Sequence, residues 1–237
     1  MTELAITKGK AKSIPIFMVK QGGLSKSASG ISAAHKAWGK ANGFDGASGS
    51  ILLCPDVKVG IEAVLFGIGD AEEDLITGAL PSKLPKGNYH FETELADPHL
   101  NALGWLLGSY HFSVYNGKKP YGAKLVLPAG VDQNALIRDA EGTFLARDLI
   151  NTPANDMRPQ QLEGAIRRLG RTHKATVSVI KGDKLLEKNF PMIHAVGRAS
   201  IDAPRLIDLK WGNAKHPKVT LVGKGVIFDS GGLNIKP

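Results

Sequence analysis

Four short apolar runs constrain this fold more than anything else in the chain: SIPIFMV (13–19), GSILLCP (49–55), EAVLFGIG (62–69) and AKLVLPAG (123–130). Each is bounded by glycine, proline or charge, and each has the length and continuity of a strand covered on both faces. Between the last two, PHLNALGWLLGSYHFSVY (98–115) spaces Leu103, Leu107, Tyr110 and Val114 as one buried helical face. A second helix is predicted from Asp132 to Ile150, with Leu136, Ala140 and Phe144 recurring every fourth residue. It runs into NTPANDMRP (151–159), where two prolines and an Asn/Asp cluster end a helix and start a linker.

A new unit begins after Pro159. The sequence predicts a helix in QQLEGAIRRLGRT, a strand in KATVSVIKG, a short helix in GDKLLEKN and strands in PRLIDLKWG and KVTLVGKGVIF. Strands that alternate with helices build α/β layers, not a bundle or a sandwich. The expected domains are residues 1–155 and 156–237.

Composition narrows the class. The 237 residues suffice for a sizeable core, and 43% apolar with 22% charged residues are globular values. No apolar run approaches the roughly 20 residues that span a bilayer. The charged N-terminal stretch lacks the apolar core of a secretory signal. Cys54 stands alone, which rules out an internal disulfide and suits a reducing cytoplasm. The formal charge of +8 comes from lysines scattered singly or in pairs such as Lys118-Lys119, which read as a solvated surface. A basic first domain that binds nucleic acid is the alternative.

The chemistry concentrates at residues 218–237, KVTLVGKGVIFDSGGLNIKP. The run from Val219 to Phe228 reads as a buried strand, yet Lys224 sits in it between Gly223 and Gly225. A buried lysine is costly unless paired or deprotonated, and flanking glycines let another group approach closely. Asp229 follows, with Ser230-Gly231-Gly232 turning the chain at the strand's carboxyl end, where open α/β sheets bind ligands. A P-loop fails because Gly225 follows Lys224 and Lys218 occupies the first glycine position. A nucleophile elbow fails because Phe228, not glycine, lies two residues before Ser230. No dinucleotide fingerprint is met, and a phosphate site at Gly231-Gly232 lacks a helix N-terminus aimed at it. From spacing alone, a Lys224–Asp229 ion pair that caps a strand and a ligand-binding site both remain open.

LVGKGVIFDSGGLNIKP (221–237) resembles the signature of the leucine aminopeptidase, or cytosol aminopeptidase, family. RDLINTPANDMRP (147–159) resembles that family's interdomain segment, and AVGRASIDAPRLIDLKW (195–211) the stretch before its metal-binding strand. Ile227 stands where threonine is common and Leu233-Asn234 where Ile-Ser is common, so substrate preference stays open.

The resemblance implies a small N-terminal α/β domain followed by the first part of a mixed-sheet α/β/α metallopeptidase domain. It implies that the amine of Lys224 ligates one of two divalent metals and that Asp229 bridges both. Lys236 would be catalytic, staying protonated to polarise the scissile carbonyl and stabilise the oxyanion. A ligating lysine must be neutral, which costs about 4.6 kcal/mol at pH 7 and is offset by the metal bond. The implied cofactors are Mn²⁺ or Zn²⁺, with Mg²⁺ a third option, and bicarbonate. The implied partners are peptide substrates and further copies of the chain in a homohexamer.

Lys224 and Asp229 together offer one nitrogen and two oxygens, too few for two ions that each take about four to six ligands. Further carboxylates are therefore expected downstream of Pro237, and this chain alone is expected to be inactive. FETE (91–94) reads as solvated carboxylates, and the seven histidines, including those in HFE (90–92) and AAHK (33–36), read as structural or surface groups.

Overall fold

The computed structural model describes residues 4–7, 12–25, 30–56, 60–70, 75–115, 117 and 119–227. The chain divides into two compact units, Met1–Ala146 and Arg147–Pro237.

The first unit holds β1 (Ile6–Thr7), β2 (Ile14–Lys20), α1 (Ala33–Ala41), β3 (Ile51–Asp56) and β4 (Gly60–Gly69). A 3₁₀ turn (Ile76–Ala79), β5 (Gly87–Phe91), α2 (Pro98–Ser109), β6 (Ala123–Val126) and the start of α3 (Gln133–Asn151) follow. The six strands form one sheet in the order β1-β6-β5-β2-β4-β3. All neighbours are parallel except the β3–β4 pair at one edge. The fold is thus α/β with a mostly parallel sheet, as the four apolar runs predict.

Burial on both faces explains those runs. Ile16, Val64, Phe66, Tyr89 and Leu125 enter one core, while Phe17, Val19, Ala63 and Leu65 enter another. Successive residues of β2 and β4 alternate between the two, so neither strand has a polar face. Trp105 of α2 is fully buried in the first core, edge-on to Phe91, and its Nε1 donates to the Ala5 carbonyl at 3.0 Å. The same carbonyl accepts from the Leu125 amide at 2.9 Å, tying α2 to the β1–β6 side of the sheet.

The edge strand β3 is blunted in two ways. Pro55 sits at an irregularity in the β3–β4 register, where a missing N–H is tolerated. Trp38 of α1 donates from Nε1 to the Leu53 carbonyl at 3.1 Å, occupying an acceptor that a foreign strand could use.

Helix α2 departs from its expected face. It ends at Ser109, Tyr110 lies beyond it, and Val114 is 69% exposed. The buried positions are Ala102, Gly104, Trp105, Leu106 and Ser109, while Leu103 of the expected row packs half-buried against the first core. The reason is a glycine contact: a Cβ on Gly108 would overlap the Gly78 carbonyl of the 3₁₀ turn. That close approach turns the helix so that Trp105 faces the sheet. Leu136, Ala140 and Phe144 of α3 are buried as their spacing predicts. The carboxylate of Asp132 accepts from the Asn134 and Ala135 amides at the start of α3, and those bonds hold it below the usual range.

The second unit contains the end of α3, then α4 (Pro159–Thr172), β7 (Thr176–Lys181), α5 (Lys184–Glu187), α6 (Pro191–Gly197) and β8 (Arg205–Lys210). Strands β7 and β8 pair antiparallel, with Val179 opposite Ile207. The strand expected at 218–228 is corrected: residues 218–226 adopt no regular structure. Val219, Leu221 and Val222 are at least 81% exposed. A strand exists only where a neighbour takes its ladder bonds, and among the described residues none is paired with this run.

Candidate functional site

The candidate segment starts from Lys224, the one predicted ligand among the described residues; Asp229 and Lys236 lie outside them, as do Phe228 and the Ser230-Gly231-Gly232 turn. Lys224 is exposed, not buried as its apolar surroundings suggest. Its carbonyl accepts from the Val226 amide at 3.0 Å, a local turn in place of a sheet ladder. The flanking glycines differ. A Cβ on Gly225 would come within 3.0 Å of Leu162 Cδ2 on α4, whereas one on Gly223 would meet nothing within 4 Å. The close approach expected of these glycines therefore holds on the Gly225 side alone, where the segment runs against α4.

Alongside, α4 and β7 border an open cleft of about 530 Å³ lined by Gln160, Glu163, Arg167, Lys181 and Arg205. Glu163 is its acidic member and is already committed. It accepts from Arg167 Nε at 2.7 Å and from Arg205 Nη1 at 2.5 Å. The hydrogen bond from Arg167, then that from Arg205, holds its carboxyl below the usual range. A carboxylate so engaged is a poor general base and a poor metal ligand.

Among the described residues, no three His, Cys, Asp or Glu side chains come together as a metal site. Of the expected donors only Lys224, an exposed amine, lies among the described residues. No reaction step through a metal is drawn from this geometry.

Three histidines pair with single carboxylates: His35 with Glu62, His99 with Asp139 and His194 with Asp183. His90 differs. Its Nε2 lies 2.9 Å from Glu92 Oε2, and its Nδ1 lies 2.9 Å from Ser13 Oγ. HFE gives the first of these contacts but not the second, because Ser13 lies 77 residues away and meets His90 through the parallel β2–β5 pairing. Glu94, the other acid of FETE, is exposed, and Thr93 Oγ1 accepts from the Met18 amide at 3.0 Å.

Comparison with known proteins places these features. Residues 14–128 match the family model of the M17 aminopeptidase N-terminal domain, and residues 144–237 match that of the cytosol aminopeptidase catalytic domain. A probable cytosol aminopeptidase of Wolinella succinogenes is 33% identical over 219 residues, covering 82% of this chain and 45% of that protein. One from Aeropyrum pernix is 37% identical over 140 residues, 57% of this chain and 28% of that protein. The chain thus spans less than half the length of either relative.

Among solved structures, the cytosol aminopeptidase of Coxiella burnetii matches with a TM-score of 0.85 at 39% identity, over 96% of this chain and 50% of that one. BotP, a bottromycin maturation enzyme in complex with Mn, shares the fold with a TM-score of 0.66 at 24% identity, over 84% of this chain and 45% of that one. With two models of one family matching most of its length in order, and a homologous structure following its path, this chain belongs to the cytosol aminopeptidase family, M17.

Proposed function

We propose that this chain is part of a metal-dependent aminopeptidase that releases N-terminal residues such as leucine from peptides. The observation that carries the reading is positional. Lys224, Asp229 and Lys236 fall inside the stretch 144–237 that matches the family's catalytic domain, and the resemblance of residues 221–237 to the family's signature supports giving them the ligand and catalytic roles.

In this reading Lys224 and Asp229 are two of the ligands to a pair of divalent ions, Mn²⁺ or Zn²⁺ with Mg²⁺ a third option. Such ions supply a hydroxide at neutral pH and stabilise developing oxyanions. Lys236 keeps its proton and directs an N–H at the scissile carbonyl oxygen, favouring the charge that builds there. Three protein donors fall short of what two ions need, so this reading calls for further ligands beyond Lys224 and Asp229. Cytoplasmic location, a homohexamer and a bound bicarbonate belong to the same reading. Among the described residues no helix is long and apolar enough to cross a membrane.

The test is hydrolysis of a leucine chromogenic amide by the product of the complete reading frame, with and without Mn²⁺. Activity that needs the metal supports the proposal. Undiminished turnover in rigorously chelated buffer overturns it.

A further inference from the structure

A different group of side chains, in the first unit, has the arrangement of a serine nucleophile with its base. Ser13 stands immediately before β2, and His90 and Glu92 lie on and just beyond β5. Strand alternation explains why they meet. Ile14, Ile16, Tyr89 and Phe91 pack in or against the first core, which leaves Ser13, His90 and Glu92 on the opposite face of the sheet. The pairing of Pro15 with His90 sets the register, and the Glu92 amide donates to the Ile16 carbonyl at 3.0 Å, fixing the acid beyond the strand end.

The hydrogen-bond roles follow from chemistry. An ionised carboxylate only accepts, so Glu92 Oε2 accepts a hydrogen bond from the His90 Nε2–H. In the neutral ring Nδ1 is then the acceptor, and the Ser13 hydroxyl donates to it across 2.9 Å. A nucleophile in hydrogen-bond contact with a base, itself oriented by a third group, is the pattern that activates serine; here the ring is reversed relative to the Ser–His–Asp triad, with Nδ1 facing the hydroxyl and Nε2 the acid. Reagents have access, since the His90 and Glu92 side chains are 30% and 49% exposed.

We propose that Ser13 and His90 form a nucleophilic site that takes small activated esters, with Glu92 as the residue that positions the imidazole. Ser13 Oγ bonds to the ester carbonyl carbon as its proton passes to His90 Nδ1. The bond to the alkoxy oxygen breaks, and the departing alcohol takes that proton. Water then repeats the sequence at the acyl-serine, releasing the acid and restoring the hydroxyl. Esters with a stable leaving group suit a site that provides a base and its orienting acid.

The experiment treats the full chain with a fluorophosphonate, which forms an Oγ–P bond and expels fluoride, and maps the adduct by mass spectrometry. Ser32, an exposed serine that caps α1, is the internal reference. Labelling of Ser13 about 100-fold faster than Ser32 is the expected result for a serine with a general base. His90→Ala brings the rate down to that of Ser32, and added imidazole restores part of it. Glu92→Gln slows acylation by p-nitrophenyl acetate several-fold without changing the ester concentration at half-saturation. Ser13→Ala abolishes that hydrolysis while keeping the wild-type circular dichroism. Labelling of Ser13 no faster than Ser32, in the unaltered protein, overturns the proposal, as does fast labelling that survives loss of His90.

Discussion

Arg205 of β8 turns its guanidinium onto Glu163 of α4, donating from Nη1 to Oε2 at 2.5 Å, while Nε and Nη2 both donate to the Ala203 carbonyl. The arginine side chain is 4% exposed and the glutamate 17%. The arginine head is largely desolvated with three of its five N–H groups in these bonds, the glutamate is part-buried, and the pair joins the helix to the two-stranded sheet. Removing one partner of such a pair strands the other charge out of water. Glu163→Gln is therefore expected to destabilise the second unit by about 3 kcal/mol. Arg205→Met should cost less, because Glu163 keeps Arg167 and the arginine's desolvation is removed as well. Urea titrations of the two variants give the order.

The same pair sets a pH dependence. The folded-state pKa of Glu163 is depressed, first by Arg167 and then by Arg205. A depressed acid pKa contributes stability that is complete above the ordinary glutamate range and lost as pH falls through the lowered value. The gap between wild type and Glu163→Gln should thus be constant near neutrality and narrow on acidification. A gap that widens toward acid pH contradicts the assignment.

Two glycine substitutions separate packing from propensity. A Cβ on Gly108 would overlap the Gly78 carbonyl, a backbone atom that cannot swing aside, so Gly108→Ala should destabilise by about 2 kcal/mol. Gly142 lies on the exposed side of α3 with nothing within 4 Å of its Cβ position. There Gly142→Ala should stabilise by about 0.5–1 kcal/mol through helix propensity alone. Thermal melts of both variants measure the contrast.

These contacts also show what the sequence made legible. Strands β2, β3 and β4 are visible because residues of both faces pack in or against a core, so their apolar runs are continuous, while β6 is visible from Ala123 and Leu125 alternating around Lys124. β5 is hidden because it opens on Gly87-Asn88 and buries Tyr89 and Phe91 toward one core, with polar His90 between them. Helix α1 is hidden because its stretch is poor in apolar spacing; its signal is the Ser32 hydroxyl accepting from the His35 amide at 3.1 Å. The buried face of α2 is set by Gly108 meeting Gly78, a partner 30 residues away that local periodicity does not reveal. At the candidate site, Gly223-Lys224-Gly225 is legible as a motif because residue type and spacing carry it. Its burial is not legible, because burial depends on which strands lie beside it. The Ser13–His90 contact is invisible for the same reason: register, not spacing, brings it about.

Cys54 offers a report on the first unit. Its thiol is fully buried and is pushed up to about 11, first by desolvation and then by the nearby Glu62 charge. Thiolate is the reactive form, so the native protein should resist a disulfide reagent at pH 8 and react at once in denaturant. The raised value means the folded state holds its proton more tightly. The thiol's contribution is thus complete below the unfolded-state value and fades as pH rises toward 11. Rapid native-state labelling at pH 8 contradicts this burial.

The proposed roles of the two lysines predict different failures in the complete enzyme. If Lys224 donates its amine to a metal, Lys224→Ala weakens metal retention, and raising Mn²⁺ recovers part of the activity; the readout is the metal concentration at half-maximal rate. If Lys236 instead keeps its proton and holds the carbonyl oxygen, Lys236→Ala leaves that metal dependence unchanged. It lowers kcat by about 10²–10³-fold, the usual loss for one oxyanion donor, with little change in KM. A lysine that acts only when charge develops stabilises the transition state more than the bound peptide, which is why kcat carries the loss. The two positions are 12 residues apart in one short segment, so a merely structural part for both would give the same mixed defect in each variant. Identical metal-dependence curves for the two alanine variants, with kcat and KM moving together, would remove the distinction on which the assignment rests.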